Sequence, residues 1–148
     1  MRISFFVPGI PAPGGSKRFV GIGKKTGRAI LIDAGGERNK NWRSIVGVCA
    51  SAEMREKAIK SFNGPLRVKF DFVMPRRKGD FNSKGEVKES APFFHTTRPD
   101  ALKLARSTED ALTGIVWNDD AQTAMLEISK RYADKDEPCG CTITIQSL

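Results

Sequence analysis

The sequence predicts an α/β chain of the α+β kind: a single domain with a mixed β-sheet and two main helices packed on it. Three observations predict it. Residues 66–74 alternate apolar and polar side chains, the period of a strand with one buried face. Trp42, Ile45, Val46, Cys49, Met54 and Ala58 recur at three- to four-residue spacing, the period of an amphipathic helix. A second helix is marked at both ends, with Pro99 at its start and Gly114 just past its end.

The remaining elements follow in order. Residues 2–8 read as an opening strand that runs into the Pro and Gly cluster at 8–15. Residues 17–20 and 28–32 pair as a hairpin around the Gly- and Lys-rich turn at 21–27. The first helix is expected from about Arg38 to Phe62, closed by Gly64-Pro65. After the strand at 66–74, residues 75–98 show no periodicity, and a loop of that length is functional or disordered as a rule. The second helix is followed by strands at 121–132 and 142–148. The order β, hairpin, α, β, α, β, β has no internal repeat and matches two helices lying on one mixed sheet.

A chain of 148 residues fits one domain, residues 1–148, and is long enough to bury about two-thirds of the surface its unfolded form exposes. Hydrophobic residues at 39% and charged residues at 28% exclude a disordered chain. Twenty-five Lys and Arg against seventeen Asp and Glu leave a formal charge of +8, which points to a polyanionic partner and favours nucleic acid. The apolar run Phe5-Phe6-Val7-Pro8-Gly9-Ile10 is too short and too broken to span a bilayer, so the expectation is a cytoplasmic protein without a membrane partner. The odd count of three cysteines argues against a disulfide framework. Cys139-Gly140-Cys141 has no second pair, and the only histidine is His95, so four zinc ligands are not at hand. No small-molecule cofactor is called for.

The chemistry concentrates in residues 98–122. On a helix advancing about 100° per residue, Asp100, Lys103, Ser107 and Asp110 fall within an arc of roughly 80°, while Ala101, Ala105 and Leu112 face another way. That pattern alone describes a solvated face, with Asp100 favoured at the helix N-terminus by the dipole. The adjacent pair Asp119-Asp120 adds to it. A helix ending at Gly114 and a strand beginning near Ala121 lie close together, so carboxylates from both converge on one site suited to Mg²⁺, with Mn²⁺ as a substitute. Paired metals suit phosphodiester hydrolysis, and Lys103 and Arg106 add positive charge for the phosphate.

The run Pro99, Asp100, Leu104, Asp110-Ala111-Leu112, Gly114, Trp117, Asp119-Asp120 and Gln122 resembles, in order, the motif of the RusA family of Holliday-junction resolvases, with a weaker likeness in the loop at 8–18 and the helix holding Trp42. The resemblance implies a RusA-like fold and a metal-dependent endonuclease that acts as a homodimer on branched DNA such as four-way junctions. It places metal-binding catalytic aspartates at Asp100 and Asp120, with Asp119 beside them, and it puts Arg106 where the family has a catalytic lysine. Arginine keeps that charge but is bulkier and never gives up its proton. Lys103 replaces a common Asn. Leu102 stands where the family has a second Asp, and leucine cannot bind a metal. Either Asp110, Asp119 or Glu109 compensates, or the chain grips junctions without cutting them. A third reading is an RNA-binding accessory protein.

Lys17, Arg18, Lys24, Lys25, Arg28, Arg76, Arg77, Lys78 and Lys103 are the expected DNA contacts, recognising shape and phosphate with steep salt dependence. Leu102 sits beside the apolar arc and is compatible with packing. Trp42 and Trp117 read as core anchors and His95 as a loop histidine. Phe93-Phe94 is either an exposed pair of no special use or a wedge for an open base.

Overall fold

The alternation of residues 66–74 is the centre of the molecule. In a computed structural model describing residues 1–14, 17–33 and 36–148, β4 (Leu66–Met74) lies between two neighbours, and Leu66, Val68, Phe70 and Phe72 are wholly buried on one face. Its other face is polar, with Lys69 3.0 Å from Asp71 and 3.5 Å from Glu127. The opening strand β1 (Arg2–Pro8) and the closing strand β6 (Gly140–Ser147) pair antiparallel, and β6 pairs antiparallel with β4. The strand β5 (Thr123–Tyr132) lies parallel to β4 on the other side, giving a mixed sheet of order β1-β6-β4-β5. Parallel neighbours need a long crossover, and residues 75–122 supply it.

The hairpin forms a second, two-stranded sheet from β2 (Lys17–Ile22) and β3 (Ala29–Asp33). The side chains of Lys17 and Arg18, both expected DNA contacts, lie outside the described residues. Two helices complete the fold, α1 (Gly36–Glu56) and α2 (Ala101–Leu112). The α+β fold class and the element order are as the sequence predicts.

Along α1, Trp42, Val46, Ala50 and Met54 form a buried stripe at intervals of four, and Trp42 and Trp117 are both about 1% exposed. The helix stops at Glu56, short of the expected Phe62. Ala58 adopts a positive φ of 54° and turns the chain out of the helix. Phe62 is then free to bridge Trp117, with its amide donating to the Val116 carbonyl at 2.8 Å.

The aperiodic stretch 75–98 is pinned by local hydrogen bonds. The Asn82 side chain accepts from the amides of Lys84 and Glu86 at 2.9 and 3.0 Å, and buried Asp80 lies near both Arg76 and Arg77. All three cysteines are free, and burial pushes the Cys141 thiol far up. Among the described residues, no helix is long and apolar enough to cross a membrane.

Candidate active site

The site is built on α2. Asp100 is its N-cap, in extended conformation, and its Oδ1 accepts from the Lys103 amide at 2.9 Å. Pro99 therefore lies just outside the helix. Gly114, with φ 82°, takes the left-handed conformation that ends it. The segment leading into α2 is held by Lys130 of β5, whose ammonium donates to the carbonyls of Thr97 at 2.8 Å and Pro99 at 2.6 Å. Burial lowers the pKa of Lys130, and the Asp100 charge pulls it back up. No local pattern in the sequence marks Lys130, because its partners belong to another element.

One face of α2 packs on α1. Leu104, Ala105 and Leu112 are buried there, together with two polar residues, Ser107 and Thr108. The Trp42 indole donates to the Thr108 hydroxyl at 3.0 Å, which in turn donates to the Leu104 carbonyl at 2.9 Å; the Ser107 hydroxyl donates to the Asn39 side chain. Ser107, expected on the charged arc, is thus fully buried because Asn39 supplies the partner that burial requires.

The opposite face opens on a recess of about 350 Å³. Leu102, Arg106, Glu109 and Asp110 line it from α2, and Asp120 and Leu126 line it from the following segment. Leu102 points into this recess and is 72% exposed, so it is not the packing residue its place beside the apolar arc suggests. Glu109 is half-buried, and its carboxyl is raised above the ordinary 4.5, first by loss of water and then by the charges of Asp120 and Asp110, with the Thr123 hydroxyl opposing the rise.

A short 3₁₀ turn, Asp120–Gln122, brings Asp120 to the recess. Asp119 is consumed by that turn: its Oδ1 accepts from the Ala121 amide at 2.8 Å, and it is not among the recess-lining residues. Gln122 clamps the turn from both sides. Its Oε1 accepts from the amides of Asn118 and Asp119 at 3.0 and 3.2 Å, while its Nε2 donates to the carbonyls of Phe62 and Gly64 at 3.0 and 3.1 Å. The early exit of α1 at Ala58 is what places those two carbonyls there.

The structure therefore gathers Arg106, Asp110 and Asp120 with Glu109, one of the carboxylates expected to compensate for Leu102. It leaves Asp100 as a cap at the start of α2, with Lys103 Nζ 3.7 Å from its Oδ2. Among the described residues no three His, Cys, Asp or Glu side chains form a ready-made metal centre.

The expected DNA contacts divide in the same way. Lys24, Lys25 and Arg28 are exposed around the β2–β3 turn, and Lys78 and Lys103 are exposed as well. Arg77 is exposed but lies 3.5 Å from Asp80 and over the Tyr132 ring. Arg76 is a correction. Its side chain is only 7% exposed, and its guanidinium donates to the carbonyls of Ala133 and Pro92, both at 2.8 Å, so it braces the 75–98 segment and is not presented to a partner. Phe93 and Phe94 are exposed and stack edge to face at 4.9 Å, with Arg131 over the Phe93 ring. His95 is buried against Tyr132, and its pKa is lowered by burial and by the charges of Lys130 and Arg77.

A Bacillus subtilis (strain 168) protein described as "Uncharacterized protein YqaN" is 29% identical over 100 residues, covering 66% of this chain and 68% of that protein. The family profile described as "Endodeoxyribonuclease RusA" matches residues 8–146. With that match running over nearly its whole length, the chain belongs to the RusA family of endodeoxyribonucleases.

Proposed function

We propose that the chain is a metal-dependent endodeoxyribonuclease that cuts branched DNA, four-way junctions above all, as a cytoplasmic homodimer working in recombination and repair. The observation that carries this reading is the recess in which Asp120, delivered by its own turn, meets Arg106, Glu109 and Asp110 in a chain of this family. The donors are carboxylate oxygens, the kind a hard cation takes, and the ion itself would draw them together. Three carboxylates line one recess, where burial first and the charges of Asp120 and Asp110 after it raise Glu109, and Mg²⁺ or Mn²⁺ would neutralise that charge.

Asp100 and Asp120 would hold the ion, with Asp110, Asp119 or Glu109 assisting; the caps made by Asp100 and Asp119 each engage Oδ1 alone. When bound, the ion supplies a Lewis acid that activates water and stabilises the leaving oxygen. Arg106 contributes a fixed positive charge that binds and orients the scissile phosphate, and the forked guanidinium suits paired contacts to its oxygens. Gln122 keeps Asp120 aimed at the recess. Two copies related by a two-fold axis match a pseudo-two-fold junction and place one recess at each of two opposed strands. The exposed apolar residues Phe19, Val20, Ile22, Ile30 and Leu31 of the hairpin support self-association.

A second reading is favoured by one feature: exposed Leu102 occupies the recess where the family resemblance puts an aspartate. It is a protein that grips junctions and does not cut them. Cleavage of a labelled synthetic four-way junction against linear duplex, in Mg²⁺, Mn²⁺ or EDTA, separates the two. The proposal expects paired, metal-dependent cuts, reduced at least about a hundredfold in Asp120→Asn, since losing a ligand costs more than the 10- to 100-fold of a supporting residue. Cutting at the wild-type rate in Asp120→Asn would remove the site assignment. Tight, salt-sensitive binding with no cleavage in either metal would establish the second reading.

A further inference from the structure

A second groove adjoins the recess, formed mainly by one face of α1 and enclosing about 1150 Å³. We infer that this groove is the seat of the phosphate backbone of one DNA arm, held by Lys40, Arg43 and Arg55 and continuous with the catalytic recess through Asp110. The inference rests on the endonuclease reading above and extends it to residues that neither the family motif nor the charge runs of the sequence point to.

Four observations carry it. Lys40, Arg43, Ser44, Ser51 and Arg55 recur on one face of α1, and all line the groove. From Lys40 to Arg55 that face runs about 22 Å at 1.5 Å per residue, the axial length of about six base pairs at 3.4 Å each. The charge is complementary to a polyanion: three cations face one carboxylate, Asp110. Neither Arg43 nor Arg55 forms an ion pair with any described residue, while Lys40 has only an exposed contact with Glu37 at 3.4 Å. Between the cations Gly47 adds no side chain to the lining, and the hydroxyls of Ser44 and Ser51 are short donors of the kind that contact phosphate oxygens.

Continuity decides between DNA and an acidic protein segment as the occupant. Asp110 lines both the groove and the recess, so a strand whose phosphate reaches Arg106 passes directly onto α1. An acidic peptide would have no reason to end at a phosphodiester-cutting site.

The test is junction binding in EDTA by the full chain and by the double variant Arg43→Gln/Arg55→Gln, between 50 and 200 mM salt. Gln keeps helix propensity, so α1 is preserved. The expected result is a log K against log salt slope shallower by about 2, one for each phosphate contact removed. The pair Arg43→Lys/Arg55→Lys, which keeps both charges, should restore the slope. An unchanged slope in the Gln variant, with wild-type junction binding intact, overturns the groove assignment and leaves the endonuclease reading standing. A wild-type chain with no salt-dependent junction binding takes down both.

Discussion

The two faces of α2 obey opposite rules. On the face toward α1, every polar group is small and paired: Thr108 both accepts from Trp42 and donates to Leu104, and Ser107 meets Asn39. On the other face, eight residues or fewer along the same helix, Glu109 and Asp110 crowd Asp120, Leu102 stands exposed, and Glu109 is held away from its ordinary ionisation. Natural sequences violate local consistency at functional sites and compensate elsewhere. Here the compensation is on the back of the same helix, where a fully satisfied polar seam fixes α2 against α1 so that its front can carry unfavourable charge.

Breaking the seam should have the largest effect. Trp42→Ala removes a side chain that is 1% exposed and takes away the donor to Thr108. A loss of about 3–5 kcal/mol in unfolding free energy is expected, from the cavity and the lost transfer of the ring. Denaturant melting measures it. A cost below about 1 kcal/mol would mean that α2 is held by something other than this seam.

The front of the helix should respond in the reverse sense. Leu102→Asp changes an exposed side chain in the first turn of α2, where the dipole favours an acid, so stability is expected to change by no more than about 0.5 kcal/mol. Divalent-metal affinity, followed by calorimetry, should rise at least about tenfold, the scale on which metal sites respond to a single group. Junction cleavage should rise with it. A variant that melts early without gaining metal would show Leu102 to be a packing residue after all.

The contrast between the faces also explains what could be read from the sequence. Periods of 2 and 3.6 are local, so β4, α1 and α2 are legible, as are the caps around α2. The recess was half legible, because Asp110, Asp120 and Arg106 lie in one short run. What escaped depends on distant partners. Ser107 looks solvated until Asn39 is placed against it, and Arg76 looks like a DNA contact until Ala133 and Pro92 offer their carbonyls. Composition alone does not separate Asp119 from Asp120, and the motif's choice of Asp120 agrees with the 3₁₀ turn, which uses Asp119 as a cap and brings Asp120 to the recess. The end of α1 was missed because nothing in the composition around Ala58 announces a left-handed residue.

The subtlest test of the comparison is Glu109→Gln, measured by thermal melting in EDTA across pH. Glu109 is raised in the folded protein, so the folded state holds a proton that the unfolded chain has already released. Its contribution to stability is complete below the ordinary value of 4.5 and is lost as pH rises through the higher folded value. Once pH exceeds that folded value the wild type carries an unfavourable ionised carboxylate beside Asp120 and Asp110. Glu109→Gln should melt slightly higher than wild type there, with the gap closing below pH 4.5. Mg²⁺ should narrow the gap from the other side, stabilising the wild type more than the variant because the ion neutralises the crowding that Gln removes. A variant that melts lower above the folded value in EDTA would mean that Glu109 is paired like the residues on the back of the helix, and the two faces would no longer differ in kind.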